Sequence, residues 1–160
     1  MKISVAAIGR LRGGPELELI NDYSDRIRAA GRAVGVTGFQ IVELEAPKGL
    51  SGPERRQRES ALLDHCAGAT AKRIVLDETG KSLSSEAFAG LIGQWRDNGA
   101  REVAFLIGGA DGHEKSLLDS ANMALAFGKA TFPHMLVRVM LAEQIYRAVT
   151  ILAGHPYHRG

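Results

Sequence analysis

The sequence predicts an α/β sandwich built on a mainly parallel sheet. Three observations lead there. Short runs at 3–8, 39–44, 73–77, 103–107 and 123–127 read as strands, the first almost continuously apolar as expected of a buried strand. Segments with helical spacing of apolar residues lie between them. Gly and Pro mark most of the junctions. Sheets of this kind carry ligands outside the carboxyl ends of their strands. The segments 76–81, 108–112 and 128–133 are all strand exits, so a site is expected where they meet.

The elements follow in order. Ile3–Ile8 is the first strand, and Gly13-Gly14-Pro15 then breaks the chain. Pro15 suits the first position of a helix. Ile20, Tyr23, Ile27, Ala30 and Val34 recur at helical spacing, with Gly31 and Gly35 weakening the end. Phe39–Leu44 is the second strand and 46–52 a loop. Pro53 opens a strongly charged helix through about Ala69. Arg73–Asp77 is the third strand, running out into Glu78-Thr79-Gly80-Lys81. Ser84 or Ser85 caps the next helix, which carries Phe88, Leu91, Ile92 and Trp95 on one side and stops at Asn98-Gly99. Val103–Ile107 is the fourth strand. A short helix near 116–121 precedes a fifth at Met123–Phe127. Gly128–Pro133 then leads into a helix over Met135–Leu152.

The 160 residues fit one domain spanning 1–160. With 45% apolar and 24% charged residues a core forms and disorder is excluded. A net charge of +2 does not by itself mark a nucleic-acid binder. The clusters Lys2/Arg10/Arg12, Arg26/Arg28/Arg32 and Arg55/Arg56/Arg58, taken singly, are solvated faces. Cys66 is the single cysteine, so no internal disulfide forms and a reducing compartment is natural. The first apolar run lacks a signal-peptide cleavage pattern, and no run is long enough to span a bilayer. The cytoplasm is the expected location.

The last helix is apolar around nearly its whole circumference, from Leu136 to Leu152. Glu143, Arg147 and Thr150 form its one polar stripe, the first two at ion-pair spacing. Such a helix is buried on several sides, and in a domain of this size a second copy can supply the missing cover. Gly108-Gly109-Ala110-Asp111-Gly112 is neither the dinucleotide fingerprint nor a P-loop. It is either a tight turn or a place where backbone approaches a ligand. The tail His155, Tyr157, His158, Arg159 is either a frayed end or a source of protonatable groups beside the cleft. No carboxylate or cysteine joins its histidines at a metal-ligand spacing, and no metal site is expected.

Taken together, Leu76-Asp77 with Gly80-Lys81, Ile107-Gly108-Gly109 with Gly112, Thr131-Phe132-Pro133-His134, Val137-Arg138-Val139, Glu143-Gln144-Ile145-Tyr146-Arg147-Ala148 and His155-Pro156-Tyr157-His158 closely resemble the ribosomal RNA large-subunit methyltransferase H family of the SPOUT superfamily. The likeness runs from the first strand to the tail. It implies a SPOUT-type sandwich with a C-terminal trefoil knot, an exception to the rule against knots. It implies a homodimer through the C-terminal helix, acting in the cytoplasm. The methyl donor would be S-adenosyl-L-methionine, held by Leu76, Gly108, Gly109, Gly128, Lys129, Ala130, Thr131, Phe132 and Pro133. The substrate would be a pseudouridine in a stem-loop of 23S ribosomal RNA within the ribosome, methylated at ring nitrogen N3.

The chemistry asked of such a site suits these residue types. Backbone at Gly109 and 128–133 can meet an adenine edge, and Leu76 and Phe132 can wall it. The N3 imide must lose a proton, to a base or with its developing charge stabilised by donors. The candidate catalytic groups are His158 and Tyr157, with Arg138, Glu143 and Arg147 in support. Other readings are a SPOUT enzyme acting on transfer RNA or another ribosomal site, a non-catalytic dimeric RNA-binding module, and a flavodoxin-like nucleotide binder.

Overall fold

Each buried strand sends successive side chains to opposite faces of the sheet, and this sorts the core into two clusters. The computed structural model of the protein describes residues 1–45 and 47–159, the side chains of His158 and Arg159 excepted. Ile3, Val5 and Ala7 of β1 (Lys2–Ile8), Ile74 and Leu76 of β3 (Lys72–Lys81), and Val103, Phe105 and Ile107 of β4 (Glu102–Ile107) face one side. There they meet Ile27 of α1 (Pro15–Gly31), Phe88 and Ile92 of α3 (Ser85–Asp97), and Leu141 and Ile145 of α5 (His134–Leu152). Ala6, Ile8, Val75, Ala104 and Leu106 face the other side, against Leu63 of α2 (Gly52–Cys66) and Leu117 of α4 (Lys115–Ser120).

With β2 (Gly38–Leu44) and β5 (Met123–Leu125), these strands form a five-stranded sheet in the order β2-β1-β4-β3-β5. Every described pair is parallel. The result is the expected α/β sandwich. Because β4, β3 and β5 are neighbours, the three predicted strand exits leave from adjacent positions along one edge.

The element boundaries differ from expectation where a local interaction overrides the apolar pattern. Ser51 starts α2, accepting from the Glu54 amide while Glu54 accepts from the Ser51 amide. This is a capping box, and it starts the helix at Gly52, one residue ahead of the expected Pro53. The helix stops at Cys66, short of Ala69, because Ala67 is already extended. Ser84 caps α3 by accepting from the Ala87 amide. After α1 a 3-10 turn runs Arg32–Val34, and Gly35 at φ 76° ends it. Strand β3 continues to Lys81, well past Asp77, while β5 ends at Leu125 rather than Phe127. The Ala126 amide donates to the Lys81 carbonyl and draws the chain in against the end of β3. Ala46, the first residue of the expected 46–52 loop, lies outside the described residues.

One buried cation ties the last helix to the sheet. Arg138 of α5 is 4% exposed. Its guanidinium donates to the Ile8 carbonyl at the end of β1 and to Glu43 Oε1 of β2 at 3.1 Å. Glu43 Oε1 also accepts from the Leu11 amide at 2.9 Å. Burial pulls the Arg138 pKa below its ordinary value, and the Glu43 charge opposes that. Removing the guanidinium strands the Ile8 carbonyl and leaves Glu43 without its cation. Arg138→Met is expected to cost about 3 kcal/mol, read as a lower urea midpoint at unchanged slope.

Candidate functional site

The three exits converge. A cavity of about 660 Å³ opens at the carboxyl edge of β3, β4 and β5, within the size range of small-molecule sites. Leu76, Asp77 and Glu78 form one wall, 107–113 a second, and 125–128 with 130–134 a third, closed by Val137 of α5. All the expected donor-binding residues line it except Lys129, which is not among the lining residues.

Glycine is required at several points by close approach. A Cβ on Gly80 would lie 2.6 Å from the Ala124 carbonyl carbon, so only glycine lets the end of β3 lie against β5. A Cβ on Gly108 would lie 2.8 Å from His113 Cε1. The turn is therefore packed from inside by a histidine ring.

Cross-ties hold the walls in place. His113 Nε2 lies 3.0 Å from the Leu76 carbonyl. A carbonyl only accepts, so this nitrogen carries the proton and the neutral ring keeps a lone pair on Nδ1. That atom is buried with no hydrogen-bond partner. Asp77 Oδ1 accepts from the Thr79 amide at 2.9 Å and from its hydroxyl at 2.5 Å, which fixes the exit of β3. Arg55 pairs with Asp111 at 3.0 Å and Arg56 with Glu114 at 2.8 Å. The Glu114 amide donates to Ser60 Oγ at 2.9 Å. Expected as part of a solvated face, Arg55 and Arg56 instead anchor the 108–114 loop to α2.

The cavity's charge is distinctive. Asp77, Glu78 and Asp111 line it together with His113 and His134, and no Lys or Arg lines it among the described residues. The first turn of α5 opens onto it with Pro133 at the N-cap and no side-chain cap, so free amides stand at that helix end. No group of three or more His, Cys, Asp or Glu suited to a metal occurs among the described residues.

The candidate catalytic groups lie elsewhere. Tyr157 stands on a 3-10 turn, Pro156–Arg159, folded back on α5. Its hydroxyl donates to Glu143 Oε1 at 3.3 Å, and Arg147 Nε donates to the same oxygen at 2.8 Å. The Arg147 guanidinium lies 5.0 Å from the Tyr157 ring centroid, and the Tyr146 and Tyr157 rings are 4.7 Å apart. Burial first, then a hydrogen bond with Tyr23 and the Glu143 charge, push the Tyr157 phenol up to about 12. Thr150, expected on the outer stripe, is buried and donates to the Arg147 carbonyl.

Glu143 lines a second cavity of about 560 Å³ with Tyr23 of α1, Ser85 of α3 and Gln144. Leu125, Ala126 and Phe127 line both cavities and so partition them. Glu143, Arg147 and Tyr157 are thus brought together, but none of them lines the first cavity. Arg138 is spent on Ile8 and Glu43, away from either cavity's lining. The His158 side chain lies outside the described residues. Tyr157 of the tail packs on α5, and no described tail residue lines the first cavity. The sequence reading missed His113 and the α2 anchors. The signal for the anchors was the spacing of Arg55, Arg56 and Ser60 on one helical face.

His113 makes the site pH-sensitive. Burial lowers its pKa below 6.5; the Leu76 bond and Asp77 oppose this and His134 adds to it. Below about pH 6.5 the unfolded chain binds a proton that the folded ring refuses, so stability is lost as pH falls. His113→Gln keeps a donor for Leu76 and cannot titrate. Between about pH 7.5 and about 5.5 the melting temperature of the natural protein is expected to fall further than that of His113→Gln. Equal falls would contradict the assignment.

A family model described as "Predicted SPOUT methyltransferase" matches residues 1–158. Proteins named Ribosomal RNA large subunit methyltransferase H are similar over 159 residues, 99% of each chain: that of Paracoccus denitrificans is 54% identical and that of Maricaulis maris 51%. The namesake of Rhizobium etli is 48% identical over the same length. The match extends over all three strand exits and the tail helix, and the chain belongs to the SPOUT methyltransferase family.

Proposed function

We propose that this protein methylates large-subunit ribosomal RNA, using S-adenosylmethionine held in the cavity between the exits of β3, β4 and β5. The observation that carries the donor assignment is the cavity's charge. Three carboxylates and no lining Lys or Arg among the described residues suit a sulfonium and an ammonium group. The same lining repels a flavin or nucleotide phosphate, which disfavours the flavodoxin-like alternative. Uncapped amides at the start of α5 suit the donor's single carboxylate. The RNA assignment is supported by the names of relatives about half identical over the whole chain.

The finer reading is methylation of N3 of a pseudouridine in 23S ribosomal RNA on the cytoplasmic ribosome. When bound, the donor supplies an electrophilic methyl whose bond to sulfur breaks as the bond to N3 forms, the electron pair staying on sulfur. The chain's residues position the reactants and take the N3 proton. Tyr157, held protonated up to about pH 12, donates rather than accepts. His158 is then the group assigned as base, since a histidine titrates in the working range.

A homodimer through α5 completes this reading. Leu19 of α1 and Met135 and Leu136 of α5 are the large apolar side chains left exposed, at 46%, 47% and 43%. Because no described tail residue lines the cleft of its own chain, the partner's tail is assigned to it. The trefoil knot belongs to the same proposal and rests on membership of the SPOUT family.

Two measurements test these assignments. His158→Ala is expected to lower the single-turnover rate on saturating ribosomal substrate about a hundredfold with donor affinity retained; an unchanged rate removes His158 from the chemistry. Leu136→Glu is expected to sediment as a folded monomer without methyl transfer. A fully active monomer would refute both the dimer and the shared site.

A further inference from the structure

We propose that Glu59 is a positioning residue of the donor site: its carboxyl lies directly beneath Gly109 and sets where that peptide presents its backbone to the cleft. This rests on the cleft being the donor site.

Gly109 has no side chain with which to anchor itself, yet it lines the cavity. Other parts of the loop are held through side chains or the flanking amide, at Asp111 by Arg55 and at Glu114 by Arg56 and Ser60. All three of those partners come from the same stretch of α2 as Glu59. A Cβ built on Gly109 would lie 2.7 Å from Glu59 Oε2 and 2.9 Å from Oε1. The peptide therefore rests on the carboxyl itself, with no room for a side chain between them.

Packing alone does not account for an acid here. Glu59 is 2% exposed, and Oε2 has no hydrogen-bond partner. A leucine or methionine would fill the same space without stranding a buried polar oxygen. Burial, and secondarily the Asp111 charge, raise the Glu59 pKa, while a hydrogen bond from the Gly109 amide and the Arg55 charge lower it. Gly109 is the backbone that meets this buried carboxyl.

The test compares Glu59→Gln, Glu59→Asp and Glu59→Ala with the natural protein. Glutamine keeps a carbonyl oxygen at the same reach; aspartate withdraws it by one methylene; alanine removes it. Calorimetry with S-adenosylmethionine is run beside the amide resonance and exchange rate of Gly109 in ligand-free protein. Glutamine is expected to bind within about threefold of the natural protein, and aspartate and alanine about tenfold or more weaker. The Gly109 amide is expected to shift and exchange faster in aspartate and alanine only. Should the alanine variant fail to fold, the aspartate–glutamine pair decides. If the natural protein binds donor and Glu59→Asp binds equally well with Gly109 unmoved, the Glu59 assignment is overturned. If the natural protein binds no donor at all, the donor reading falls instead, and the two failures are told apart.

Discussion

Parallel pairing of β3 with β4 on one side and β5 on the other is the constraint on which the site depends. It sends three chain exits to one edge, where no strand continues and backbone groups are free to meet a ligand. The pairing is unusually close at its far end. Gly80 lies against the backbone of Ala124 and Leu125 with no space for a Cβ, and Lys81 draws in the Ala126 amide. The wall between the two cavities, 125–127, is placed by that contact.

Polar side chains then set a backbone that glycine leaves undefined. His113 packs beneath Gly108 and binds the Leu76 carbonyl, joining the exits of β3 and β4. The face of α2 holds the rest of the loop. These are buried or half-buried polar groups with unmet bonding capacity, at His113 Nδ1 and Glu59 Oε2. Such groups cost a fold stability, and both sit under a site-lining glycine. Arg138 plays a comparable part on the same carboxyl edge, at the ends of β1 and β2, where it holds α5.

The fold was largely legible because it follows from local pattern. Short apolar-rich runs marked all five strands, and the alternation of Ile3, Val5 and Ala7 with Ala6 and Ile8 between the two cores is what a strand covered on both faces requires. Boundaries failed where side chains act across short range: the Ser51–Glu54 box and the Ala126–Lys81 bond. The cleft at the three strand exits was legible through its glycines, since close approach excludes side chains. Three of the candidate catalytic groups, Glu143, Arg147 and Tyr157, form a cluster on α5, while sequence adjacency of tail and last helix says nothing about which cleft the tail serves. The α2 anchors were hidden because a charged helical face reads as solvated until the loop that covers it is known.

A crystal structure with S-adenosylhomocysteine, the demethylated donor, tests the central claim most directly. The account predicts the adenosine between 108–112 and 128–133, against Leu76, with the sulfur facing toward the partition at 125–127. Adenosine in the second cavity beside Glu143 and Gln144, or turns that part to leave no common cradle, would contradict it.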